Sequence, residues 1–288
     1  MAMPKRIIDA HMHFSNIQKF HDAAKTSGVD YSFDGYLKEC AECGVVASVC
    51  MGLAETTMAA FPDNAAPSPM IADLDPKRPP GLNLCLGINP HSLREEFLPS
   101  IERMVTNDNG IIGFKIYAGY YHYHIHDEIY DPVYRLAAKY GLPVAIHTGD
   151  TYSDKGLLKY AHPLEADELA LKWRDVNFIL CHMGDPWIMD ACEVAYKNDN
   201  IYVDISGLLA CDAAEIDAVE KRETVMEHYS RGIMYLNNFE KVLYGTDWPL
   251  VPMARYIEFC KKLMPESAYE DVFFNNAVRV YNLKGLDL

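Results

Sequence analysis

Ile7-Ile8-Asp9-Ala10-His11-Met12-His13-Phe14 stands almost at the start of this 288-residue chain. β-Branched and apolar residues lead into strict alternation, which predicts a strand. In a regular strand, side chains two apart share a face. Asp9, His11 and His13 are therefore expected on one side, with Ile8, Ala10 and Met12 on the other. Three polar groups on one face of an apolar strand are unfavourable unless something satisfies them. A divalent metal would do so, because two imidazoles can chelate one ion while a carboxylate holds a ring nitrogen from deeper in the fold. The plainer reading is an exposed strand carrying two alternating surface histidines. The octapeptide by itself leaves both open.

Working outward, seven further runs read as short buried strands: 45–51, 82–89, 111–117, 143–148, 177–182, 201–206 and 241–247. They are nearly continuous apolar segments, as strands covered on both faces are. Helical spacing fills the intervals, at 33–43, 93–105, 132–140, 163–172, 187–197, 212–236, 252–263 and 268–280, with Gly44 and Gly141 as stop signals. Residues 15–32 and 118–130 read as loops. The stretch 53–81 carries Pro62, Pro67, Pro69, Pro76, Pro79 and Pro80, and a loop of that length suits a lid or a subunit interface. Eight strands, each followed by helical sequence, predict an α/β protein, a (β/α)8 TIM barrel forming one domain over 1–288. No Gly-x-Gly-x-x-Gly turn follows any strand, so a dinucleotide fold is not expected.

Half of the residues are apolar, enough for a sizeable core. The 41 acidic against 26 basic residues, a net charge of −15, argue against nucleic acid and anionic membranes as partners. No apolar run reaches membrane-spanning length, and the first residues lack the pattern of a secretory signal. The eight cysteines are scattered, several within apolar runs, as buried thiols in a reduced cytoplasmic protein would be. Cys40-Ala-Glu-Cys43 has the spacing of a redox or zinc half-site, but with no second such pair it is read as packing.

The active site of such a barrel lies at the C-terminal ends of its strands. Those ends carry His11 and His13, Lys115, His147, His182 and Asp247. A single strand-end histidine is commonly structural; His182, for instance, could simply hydrogen-bond a carbonyl. Four histidines and an aspartate at the same end point instead to a metal site with positions open to water and substrate.

This ordered set resembles the amidohydrolase superfamily. Asp9-Ala10-His11-Met12-His13, His147, Cys181-His182-Met183-Gly184, Gly245-Thr246-Asp247-Trp248-Pro249 and the closing segment from Asn275 to Leu283 carry the resemblance. It is nearest to the branch with aminocarboxymuconate-semialdehyde decarboxylase and pyrone-dicarboxylate lactonase, and it runs through the whole chain. The resemblance implies that His11, His13 and His147 ligate one divalent metal, most often zinc, with manganese as an alternative. It implies that Asp247 is a further ligand or the general base, and that His182 orients or protonates beside the water. Lys115 falls where binuclear members carry a carboxylated lysine bridging two metals. In the mononuclear branch that this chain resembles, the lysine need not touch metal, and one ion is favoured; a plain ammonium there could face a substrate carboxylate. Asp9 is then expected as support for the histidines from deeper in the barrel.

The segment from Tyr117 to Asp127 is rich in tyrosine and carries His122, His124 and His126 in alternation, for which solvent- or substrate-facing roles are expected rather than a second metal site. Tyr117, Trp187 and Trp248 are candidate cavity-lining residues, with packing onto the barrel as the alternative. The function expected is metal-dependent hydrolysis of a small ester, lactone or amide, with the oligomeric state open to a homo-oligomer. The competing reading is non-oxidative decarboxylation of an unsaturated or aromatic acid, which needs a cation for the carboxylate; Arg78, Lys115 and Lys155 are the candidates. A barrel that binds a ligand without turnover is the third.

Overall fold

The computed structural model describes residues 6–15, 17–52, 81–106 and 110–286. Arg78 and all of the proline-rich stretch except Gly81 lie outside them. Eight parallel strands pair in chain order: β1 (Ile7–Met12), β2 (Val45–Met51), β3 (Leu82–Ile88), β4 (Ile111–Ile116), β5 (Val144–Ile146), β6 (Phe178–Leu180), β7 (Ile201–Asp204) and β8 (Val242–Leu243). β8 returns to β1 through Ala10 N–H to Tyr244 O at 2.9 Å and the parallel bridge Met12–Trp248, which closes the ring. Gly245 permits that approach, since a Cβ there would lie 2.7 Å from the Cβ of His11. The result is a single-domain (β/α)8 TIM barrel.

Side chains on the two faces of these strands join different cores. Ile7, Leu84, Phe114, Ile146, Phe178 and Val203 pack outward against helix residues such as Tyr36, Tyr134, Leu169 and Ile188. Ile8, Ala10, Val49, Cys85, Ala145, Ile179 and Leu243 meet in the lumen, joined by Phe274, Ala277 and Tyr281 from the C-terminal segment. These short, doubly covered strands explain the near absence of polar alternation outside the site.

The helices begin and end on physical signals where the sequence offers them. α1 spans Gln18–Ser27 and α2 Phe33–Cys43. In α2 the Ser32 side chain accepts Gly35 N–H at 3.0 Å, and Gly44 ends the helix at φ 73°. The remaining α-helices of the described residues are α3 (Leu98–Thr106), α4 (Asp131–Tyr140), α5 (Glu165–Lys172), α6 (Ile188–Lys197), α7 (Ala213–Val219), α8 (Glu223–Leu236), α9 (Met253–Lys261) and α10 (Asn276–Tyr281). Two expectations change. The presumed loop at 15–32 contains α1, whose N-cap Ile17 makes no side-chain cap bond, so the usual start signal is missing. The single helical region at 212–236 divides into α7 and α8. No helix of the described residues is long and apolar enough to cross a membrane.

Candidate active site

The alternation of β1 does not run unbroken. Asp9 pairs with Ser48 and Met12 with Cys50, three steps on β1 against two on β2, so β1 carries one extra residue between them. An inserted residue exchanges the faces of everything beyond it. Ile8 and Ala10 point into the lumen below the insertion, whereas His11 and His13 turn to the site above it. Asp9 is thereby left on the opposite side from the histidines, which corrects the shared face expected for the three. It is fully buried and accepts Thr246 N–H at 2.9 Å, Thr246 Oγ1–H at 2.5 Å and His11 N–H at 3.2 Å. Asp9 holds the β8 loop to β1 and touches neither histidine ring.

The site itself is built on proton accounting. His13 Nδ1 lies 3.1 Å from the carbonyl of Met51, and His11 Nδ1 lies 2.9 Å from a carboxylate oxygen of Asp204. Both partners are acceptors, so each ring carries its hydrogen on Nδ1 and presents a lone pair at Nε2. Those two lone pairs face Asp247 Oδ1, at 3.4 Å from His11 and 3.1 Å from His13. His11 Nε2 and Asp247 Oδ1 are buried with no hydrogen-bond partner. Three acceptors aimed at one another repel unless a cation sits among them, so these residues fit a divalent ion. His11, His13 and Asp247 offer ligand atoms within 4.8 Å of one another.

The charges agree. Burial pushes His11 down to about 4, helped by the Lys115 ammonium, so its neutral form prevails at pH 7. Burial alone would raise Asp247, and the surrounding imidazoles draw it below the usual carboxylate range only where they carry positive charge, which a neutral His11 does not. A buried carboxylate beside a neutral imidazole calls for positive charge from elsewhere, which a metal supplies.

His147 and His182 stand beside this cluster. His182 Nε2 lies 3.1 Å from His147 Nδ1, and His147 Nε2 lies 2.7 Å from the carbonyl of Asp150. His147 therefore sits outside the His11–His13–Asp247 group in this structure, with both ring nitrogens engaged. His182 comes within 3.9 Å of Asp247 Oδ2 through Nδ1, a position beside the cluster as expected. Its backbone is left-handed, φ 61°, as is that of Asp247, φ 58°. Left-handed backbone at non-glycine residues is strained and persists where surrounding bonds enforce it. Gly207 packs against both groups: a Cβ on it would lie 2.7 Å from Asp247 Oδ2 and from His182 Nδ1.

A cavity of about 330 Å³ opens onto the site, lined among others by His13, His147, His182, Asp247, Lys115 and Tyr117. Lys115 is fully buried and donates to Cys181 Sγ at 2.9 Å. Tyr117 donates its hydroxyl to Gly52 O at 2.9 Å and lines the cavity. The two tryptophans do not line it. Trp248 is fully buried among Phe14, Tyr31 and Tyr36, with Nε1–H donated to Glu39 at 3.1 Å, and Trp187 packs on His162. The Trp248 ring is covered by these aromatic neighbours instead, while Trp187 stays half-buried. His124 pairs with Glu165 at 2.6 Å and His122 stacks on Tyr160; neither they nor His126 nor Lys155 lines the cavity.

Three contributors carry no clear signal in the sequence. Lys19 and Phe20 of α1 line the cavity, and Phe20 stacks on His13 at 4.7 Å between centroids. Asp204 ends β7, and its only signal was a carboxylate between Val203 and Ile205 in an otherwise apolar strand.

Fold and site together define a barrel with a buried histidine–aspartate cluster at the strand ends that fits a divalent metal. The chain belongs to the amidohydrolase family, whose model matches residues 8–283. No curated protein sequence matches it. Solved structures similar to it include 2,6-dihydroxybenzoate decarboxylase from Rhizobium, with TM-score 0.67, 16% identity and coverage of 98% of this chain and 100% of that one. A probable 2-pyrone-4,6-dicarboxylic acid hydrolase from Acinetobacter baumannii, solved with citric acid, has TM-score 0.64, 12% identity and coverage of 96% and 100%. 5-Carboxyvanillate decarboxylase from Novosphingobium aromaticivorans, solved with manganese and a nitrobenzoic acid, has TM-score 0.62, 12% identity and coverage of 96% and 96%. At these identities the likeness is one of fold.

Proposed function

We propose that this protein is a metal-dependent hydrolase of a small ester, lactone or amide, with Asp247 as the proton acceptor. The observation that carries the reading is the convergence of His11 Nε2, His13 Nε2 and Asp247 Oδ1 on one buried point beside a cavity of about 330 Å³. A divalent ion held there would act as a Lewis acid on a carbonyl or water oxygen. Zinc is the metal expected, with manganese the alternative. A carboxylated Lys115 bridging a second ion is disfavoured, because its Nζ already donates to Cys181 Sγ.

Asp247 rests as a carboxylate, so it takes the proton of an attacking water and returns it to the leaving oxygen or nitrogen. His182, 3.9 Å from the second carboxylate oxygen, is placed to stabilise charge as it develops. The cavity volume suits a small molecule rather than a polymer. The acidic chain argues against nucleic-acid or membrane partners, the eight free buried cysteines support a cytoplasmic setting, and a homo-oligomer is compatible with the reading.

Decarboxylation is the second reading, and one observation favours it: Lys19 and Lys115 both line the cavity, two cations able to hold a substrate carboxylate. Panels of lactones and of aromatic or muconate-type acids separate the two. Metal-loaded protein is expected to release acid from a lactone without evolving CO2. CO2 release from the acids, with every lactone left intact, would overturn hydrolysis in favour of decarboxylation.

A further inference from the structure

Asp204, at the end of β7, is 1% exposed and accepts four hydrogen bonds. Oδ2 takes His11 Nδ1–H at 2.9 Å; Oδ1 takes the backbone N–H of His182 at 2.9 Å, Ser206 N–H at 3.1 Å and Ser206 Oγ–H at 2.5 Å. We propose that Asp204 is the positioning residue of the metal site: one carboxylate sets which nitrogen of His11 faces Asp247 and pins the backbone that presents His182. The proposal rests on the reading above that His11 is a metal ligand.

A carboxylate only accepts, so its contact with Nδ1 places the His11 hydrogen there and leaves Nε2 as a lone pair. Without that partner, nothing in the site would favour this tautomer, because Asp247 Oδ1 would draw the hydrogen to Nε2 instead. The second oxygen acts on the other side of the cavity. Because the Ser206 hydroxyl hydrogen is committed to Asp204, its oxygen, 3.0 Å from His182 Nδ1, can only accept from that ring. Ser206 O lies at 3.0 Å from the same nitrogen and likewise accepts. His182 is thus held with Nδ1–H, and its left-handed backbone is tied through its own N–H to the carboxylate. A residue two strands from the His11–His13 pair therefore governs both the ligand and the neighbouring imidazole.

Asp204→Asn tests this at constant shape. The amide oxygen can keep the three donors on Oδ1, which forces the amide N–H2 towards His11 Nδ1 and reverses the tautomer. Metal-free protein labelled with 15N-histidine, read by long-range 1H–15N correlation, reports the tautomer directly. Zinc titration against a chromophoric competitor reports affinity. Wild type is expected to show His11 as the Nδ1–H form. Asp204→Asn is expected to show Nε2–H and to bind zinc roughly 10- to 100-fold more weakly, the range found when partners behind a ligand are removed. Ser206→Ala, which leaves the carboxylate–His11 contact intact, is expected to keep both the tautomer and near-wild-type zinc affinity. A wild-type His11 carrying its hydrogen on Nε2 would overturn the proposal, even if Asp204→Asn does not fold. So would a folded Asp204→Asn protein with unchanged tautomer and zinc affinity. Wild type that shows the Nδ1–H form but binds no zinc would instead refute the metal reading and leave the positioning role of Asp204 standing.

Discussion

Replacing Asp9 with Asn in the metal-free protein is expected to stabilise it, by an amount that depends on pH. Asp9 is fully buried, and burial raises its carboxyl from 3.8 to about 7 against the hydrogen bonds from Thr246 and His11. The folded state therefore holds a proton that the unfolded chain loses above about 4. Between these two values folding takes up a proton, so stability falls as pH rises, by about 1.4 kcal/mol per unit for this group. Above about 7 the full cost is present; a shift of this size corresponds to about 4 kcal/mol. Asparagine reproduces the protonated carboxyl. Its oxygen can accept Thr246 N–H and His11 N–H, and its amide can donate to Thr246 Oγ1, which still accepts Trp248 N–H at 2.9 Å. Wild type and variant should thus be nearly equal at pH 4, with the variant gaining steadily to pH 7 and holding its advantage above. Urea denaturation in EDTA at pH 4.5, 6 and 8, followed by circular dichroism, measures the difference. An Asp9→Asn protein that is less stable than wild type at pH 8, or whose advantage does not grow with pH, would refute the reasoning.

Two further outcomes follow from the site geometry. Asp247→Asn is expected to hold metal more weakly, since it loses the charged one of three ligand atoms, and at saturating metal to lose kcat by at least about 100-fold, the scale of general base catalysis; normal turnover would remove Asp247 from proton transfer. Gly207→Ala places a Cβ 2.7 Å from both Asp247 Oδ2 and His182 Nδ1, at φ +58°. It should cost about 1–2 kcal/mol in urea denaturation from the left-handed backbone, and should lower kcat through the displaced carboxylate.

Much of the architecture was legible because it is written in local periodicity. The eight apolar runs, the helix stops at Gly44 and Gly141, and the strand-end positions of His11, His13, His147, His182 and Asp247 follow from spacing that neighbouring residues share. α1 escaped because it opens at Ile17 with no capping side chain, so its helicity rests on burying Ala23, Ala24 and Ser27 in the tertiary fold. The placing of Trp187 and Trp248 was equally beyond local reading, since an indole packs wherever a neighbouring element covers it.

The opening octapeptide marks the boundary between the two kinds of information. By itself it determined that β1 is a strand and that His11 and His13 lie on a common face, because side-chain direction in a strand has a period of two. Only the tertiary structure decided that Asp9 is not on that face. The extra residue between Asp9 and Met12 exists only relative to the partner strand β2, and no spacing within β1 records it. The same holds for the carboxylate behind His11. The histidine's need for an acceptor at Nδ1 was local chemistry, but that Asp204 meets it, 193 positions along the chain, was decided when the barrel closed and brought the end of β7 within reach of β1 past the short β8.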